Sequence, residues 1–212
     1  MKKVLTVLSL IASLLTVGSV QAQSQMDNNM VGKMTRADFE RKNKEGAATV
    51  ASIMPNSKKL SAADEAMMKE VAMGGMMQLE TSKVAVQKST DPAVREFAQG
   101  EVDEQTGLSD KLTAIASAKG ITLPASPDAE TQQMVSKMQG MSGAELDRHY
   151  ISEHGVKGHE KLDKVMSKVK MKGTDDNLTA VAKAAHPLVK THLKVARDMM
   201  GKLGGKGTMG SK

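Results

Sequence analysis

Four long segments of this chain carry apolar residues at three- and four-residue steps and are fenced by residues that start and stop helices, and this pattern constrains the fold most. The first opens at Ser61, with Asp64 and Glu65 near the positive end of the helix dipole, and runs to about Lys88. The second opens on Asp91-Pro92, a capping carboxylate followed by proline at the first helical position, and closes at Gly120. Leu123-Pro124-Ala125-Ser126-Pro127 then makes a rigid connection, and a short helix covers Asp128 to Gln139. The third long segment starts at the Ser142-Gly143-Ala144-Glu145 capping box and ends near Gly173. The fourth opens at Thr174 or Asp175 and runs to about Leu203. Period-two alternation and β-branched clusters do not occur, so the chain reads as all-α. Tight connections at Thr90 to Asp91 and around Gly173 predict two antiparallel hairpins. Joined, they give an antiparallel four-helix bundle over 61–203, with a short extra helix in its central connection.

Periodicity also says which polar residues point inward. Val71, Gly75, Gln78, Ser82 and Ala85 share a face of the first helix; Val94, Ala98, Glu101, Gln105, Leu108, Leu112 and Ile115 share one on the second. Ile151, Gly155, His159, Leu162 and Met166 line the third, and Ala185, Val189, His192, Ala196 and Met199 the fourth. Gly75 and Gly155 lie on these faces, where helices are expected to pack closely. A rise of about 1.5 Å per residue sets Gln78, Gln105, His159 and His192 at similar heights, with Glu80, Glu101 and Glu104 as acidic neighbours.

Two chemistries fit this interior cluster. One is a satisfied hydrogen-bond network that fixes helix pairing. The other is a metal site on His159 and His192, with Glu101 and Glu104 as candidate ligands and Zn, Fe or Cu as candidate ions. Glutamine amides are weak ligands, and no inward face carries the Glu-x-x-His pair of di-iron bundles. The sequence therefore ranks the metal site second, and no cofactor is firmly implied. Elsewhere, His149 lies four residues from Glu145 and from Glu153, as on an exposed ion-pair face. His154 flanks the interior, and Pro187 after His186 predicts a kink.

The ends set the expected compartment. A basic start at Lys2 and Lys3, an apolar run from Val4 to Val20 and a Val20-Gln21-Ala22 end read as a secretory signal peptide over 1–22. The expected product is periplasmic or secreted, without a transmembrane anchor in the mature chain and open to envelope association. Residues 23–60 read as a flexible leader with a short helix from Thr35, where Thr35 and Asp38 have capping-box spacing. Residues 204–212 read as a flexible Gly/Lys tail, fraying from Gly201.

Without cysteines the chain has neither disulfides nor thiol chemistry. Its 30 Lys+Arg are interspersed among 24 Asp+Glu, and Phe39, Phe97 and Tyr150 are its only aromatic residues, which argues against nucleic-acid binding. Met26, Met30 and Met34, four apart in the leader, are soft enough donors for Cu(I). Met67, Met68, Met73, Met76 and Met77 on the first helix read as core filler. No nucleophile-base arrangement, glycine-rich phosphate loop, HExxH pair or EF-hand loop occurs. The chain thus reads as a non-catalytic binding or envelope-stress module of unknown partner. Metal binding through the histidine pair, or copper binding through methionine, is the alternative.

Several stretches occur in an order that resembles a known family. They are Ala72-Met73-Gly74-Gly75, Asp91-Pro92-Ala93-Val94-Arg95-Glu96-Phe97-Ala98, Ala118-Lys119-Gly120-Ile121-Thr122-Leu123-Pro124, Ser142 through Tyr150, Gly158-His159-Glu160, and His186-Pro187 with His192-Leu193. Over about Ser61 to Met200 the chain resembles the exported bacterial family called domain of unknown function 4142. The resemblance implies a ferritin-like four-helix bundle in the periplasm or outer envelope. It also implies a pattern of a glutamate on the first helix, an Asp-His pair on the second and histidines on the last two. His159 and His192 match that pattern. Gln78 stands where the glutamate is expected and Glu104-Gln105 where the Asp-His pair is, so two expected ligands are lost.

Overall fold

The computed structural model of the protein describes residues 29–205. The signal-peptide reading of 1–22, Met26 and the tail beyond Gly205 lie outside them. Strands β1 (Met30–Val31) and β2 (Met34–Thr35) form an antiparallel hairpin, Met30 opposite Thr35 and Val31 opposite Met34. Thr35 then caps α1 (Arg36–Ala51), its Oγ1 accepting from the Asp38 N–H at 3.1 Å.

Helix α2 (Ala62–Lys88) starts on Ser61, whose Oγ accepts from the Asp64 N–H at 3.1 Å. Helix α3 (Pro92–Ala118) starts on Asp91, whose Oδ1 accepts from the Ala93 N–H at 2.8 Å, and it is followed by Gly120 at φ +71°. Asp128 caps the short α4 (Ala129–Gln139) through the Thr131 N–H. A continuous helical stretch follows: α5 (Gly143–His149), a π-helical segment (Tyr150–Gly158) and α6 (His159–Lys172). Asp175 Oδ1 accepts from the Leu178 N–H at 2.9 Å as α7 (Asp176–Gly205) begins. The described residues are all-α apart from the small hairpin.

Several expectations need correcting. Within its described part, the leader over 23–60 is an integral piece of the core, because Val31, Phe39 and Val50 are buried under α3 and α7. Met34 packs against the core from β2, so Met30 and Met34 belong to a hairpin and not to a free methionine string. Ser142 forms no side-chain cap: Gly143 sits at φ +55°, outside the right-handed helical region that a capping box requires of its first residue. Helix α7, with Pro187 inside it, extends past Gly201 to Gly205.

The π segment was not foreseen. Its wider turn brings Tyr150 and His154 inside together with Ile151 and Gly155. Glycine permits the close approach there: a Cβ on Gly155 would lie 3.0 Å from the Ala196 Cβ, and one on Gly158 would lie 2.8 Å from Gln78 Nε2.

Helix α2 packs along α3, and α6 along α7. The apolar interior is divided. One cluster gathers Met67 and Val71 of α2, Leu108 to Ala116 of α3, Leu162 to Val169 of α6 and Leu178 to Val189 of α7. The other gathers Val84 and Ala85, Val94 to Ala98, Tyr150 and Ile151, and Val195 to Met199. Every long helix passes from one cluster to the other. Gln78, Glu101 to Gln105, His159 and His192 lie at the crossings.

Candidate metal centre

At that polar layer, His159 Nε2 lies 2.8 Å from Glu101 Oε1. His192 Nδ1 lies closer still to the same oxygen and 3.0 Å from Glu104 Oε2. Glu101, His159 and His192 are at most 1% exposed, and their ligand-type atoms all fall within 4.8 Å of one another. The sequence-predicted pair and its two carboxylates are thus together in one buried group.

What these atoms lack is hydrogen-bond partners. Both oxygens of Glu101, both of Glu104, His159 Nε2 and His192 Nδ1 are buried without a contact that meets hydrogen-bond geometry. Buried polar atoms are normally paired, and orphans are costly. A cation could draw on His159 Nε2, His192 Nδ1 and a Glu101 oxygen together, with Glu104 beside His192, because imidazole nitrogens and carboxylates are the donors that zinc and iron(II) accept. The residues present therefore fit a metal ion.

The outward sides of both rings are held. Gln78 Nε2 donates to the His154 carbonyl at 3.0 Å and lies 3.1 Å from His159 Nδ1, which is itself 3.1 Å from that carbonyl. His192 Nε2 lies 2.7 Å from Asn43 Oδ1 on α1. Phe97 packs edge-on to both rings, 6.0 Å from His159 and 5.7 Å from His192 between centroids. Gln78 thus steadies a ring from behind.

Electrostatics follow from this geometry in the metal-free protein. Burial alone would push the Glu101 carboxyl up, but the charges of His159 and His192 overcome it and hold the group far below the usual carboxylate range. Burial likewise opposes the charge on His192, yet Glu101 and Glu104 raise its ring from 6.5 to about 10. Burial and the Glu101 charge together push the Tyr150 phenol up, and its hydroxyl pairs with Ser82 Oγ at 2.7 Å.

A raised histidine contributes stability that is complete below its unfolded value near 6.5 and is lost as pH climbs through about 10. The lowered Glu101 contributes above its ordinary 4.5 and is lost as pH falls toward its depressed value. Chelated protein should therefore be most resistant to urea between about pH 4.5 and 6.5. Its midpoint should fall by pH 10 more steeply than that of His192→Gln. Parallel declines would show that His192 carries no such charge.

The other candidate residues fall outside the group. Gln105 is buried with Oε1 unpartnered, but that atom is 2.9 Å from where a Gly75 Cβ would sit, on the wall of a cleft of about 140 Å³ between α2 and α3. Glu80 lines the same cleft and pairs with Lys83. Among the described residues His149 makes no ion pair: Glu153 is taken by Lys157 at 2.8 Å, and the His149 ring lies 6.0 Å from that of His154. His154 is buried, and desolvation with the neighbouring His149 lowers it to about 4. His186 Nε2 lies 2.7 Å from Asp163 Oδ1, a contact between α6 and α7 away from the group. Asn43 and Phe39 were missed, since nothing in α1's own pattern says which helix it will cover.

The fold and site define the class: an all-α protein whose interior holds a buried Glu/His/His group that could take a metal. The chain belongs to the family described as Domain of unknown function (DUF4142), whose family model matches residues 49–199. No curated protein and no solved structure matched it. No helix among the described residues is long and apolar enough to cross a membrane.

Proposed function

We propose that this protein is an exported, non-catalytic metal-binding module of the bacterial periplasm or cell envelope, and that Glu101, His159, His192 and Glu104 hold one divalent ion inside a ferritin-like four-helix bundle. The observation that carries this reading is the meeting of one ligand atom each from Glu101, His159 and His192, on three helical segments, all within 4.8 Å of one another in a buried layer, with Glu104 beside His192. The donor set favours zinc or iron(II) over Cu(I), which prefers thioethers. Catalytic metal sites keep an open position and a path to it, whereas these ligands are 0–7% exposed. A closed site suits holding or sensing an ion. The basic start, the apolar run from Val4 to Val20 and the Val20-Gln21-Ala22 end support export.

Calorimetric titration of chelated protein with Zn, Fe(II) and Cu(II) tests the proposal. The expected result is one tightly bound zinc or iron per chain, lost in His159→Ala and in His192→Ala. Absence of binding by the natural protein, or binding kept by both variants, would reject it and leave a hydrogen-bond cluster that orders the helices.

A further inference from the structure

Helix α1 reaches the outer side of one of the two histidine rings. Asn43, half-buried on α1, presents its amide oxygen to His192 Nε2 at 2.7 Å. A carbonyl oxygen only accepts, so the ring hydrogen facing it sits on Nε2. That arrangement leaves Nδ1, on the other side of the ring, directed at Glu101 and Glu104. Metal-bound histidines generally use such an outer contact to fix tautomer and ring orientation.

The docking of α1 is built for this contact. Phe39, one turn before Asn43, is fully buried, with its ring 5.2 Å from that of His192 and 6.0 Å from that of Phe97. Gly100 of α3 lies beneath: a Cβ there would meet the Asn43 amide nitrogen and come within 2.7 Å of the Phe39 ring. The region matched by the family begins only at residue 49, so Asn43 and Phe39 both precede it.

Resting on the proposed metal site, we infer that Asn43 is a positioning residue of that centre. It fixes the tautomer of His192 so that Nδ1 is the ligand atom, and α1 is thereby part of the site.

The test compares Asn43→Ala, which removes the acceptor, with Asn43→Asp, which keeps one, in the full chain. Zinc affinity is measured by calorimetry and the histidine ring nitrogens by NMR on zinc-loaded protein. Asn43→Ala should bind zinc about 10–100-fold more weakly and lose the Nδ1-bound, Nε2-protonated signature of His192, while Asn43→Asp should keep both. A merely structural asparagine would not be rescued in this way. Natural protein that binds zinc with Asn43→Ala unchanged in affinity and ring signature overturns the inference alone. Natural protein that binds no metal overturns the proposed function and this inference with it.

Discussion

Glu101→Gln is expected to abolish stoichiometric zinc binding while leaving both histidines in place. The carboxylate touches both rings, and no other side chain of the group does so: Glu104 reaches only His192. A neutral amide of the same shape keeps the packing but withdraws the anionic ligand. The loss should exceed the roughly 10–100-fold that follows removal of an outer contact. In the metal-free state the same change takes from His192 one of the two charges that raise it to about 10, so its titration should move down toward 6.5. Calorimetry and an NMR titration of the ring read the two effects separately. Zinc bound with natural affinity by Glu101→Gln would remove this carboxylate from the site, and an unmoved ring would contradict the charge assignment.

Asp175→Ala should give a large loss of stability, about 3–5 kcal/mol, because it strands a buried cation. Lys119 closes α3 with its side chain fully buried, and Nζ contacts Asp175 Oδ2 at 2.8 Å, Asn56 Oδ1 at 2.8 Å and the Lys58 carbonyl at 3.0 Å. One ion pair thus ties the α1–α2 connection, the end of α3 and the start of α7. Asp175 also caps α7, so the substitution removes a cap as well. The exposed neighbour changed in Asp176→Asn should shift stability by no more than about 0.5 kcal/mol. Replacing both partners, Lys119→Met with Asp175→Leu, should recover much of the loss, since no charge is then left unpaired. Equal urea midpoints for Asp175→Ala and Asp176→Asn would show that the pair contributes nothing.

How far the sequence alone reaches depends on the range of each interaction. Caps at Thr35, Ser61 and Asp91 were legible because a side chain reaching its own backbone is local chemistry. Inward residues such as His159 and His192 were legible because a 3.6-residue period fixes a face. Glu101 was read on its face, but its position between the two rings depends on how three helices meet, which no single period encodes. The π segment escaped for a related reason. Ile151, Gly155, His159 and Leu162 satisfy ordinary helical steps, while the close approach of Gly155 to Ala196 and of Gly158 to Gln78 depends on other helices. Lys119 looked like an ordinary residue before a terminal glycine. Its burial is set by Asp175 and by Asn56, which lies in the segment read as a leader.

The distribution of the ligands along the chain has one further consequence. Glu101, His159 and His192 come from α3, α6 and α7, so an ion shared among them closes two long loops of polypeptide at one point. Closing a loop removes conformations from the unfolded chain, and the gain grows with loop length. Proteins of oxidising compartments usually obtain such cross-links from disulfides. This chain has no cysteine. A bound ion would be its tether, made and unmade by metal supply and acidity where a disulfide answers to redox potential, so the resistance of the fold to unravelling would rise and fall with the metal around it.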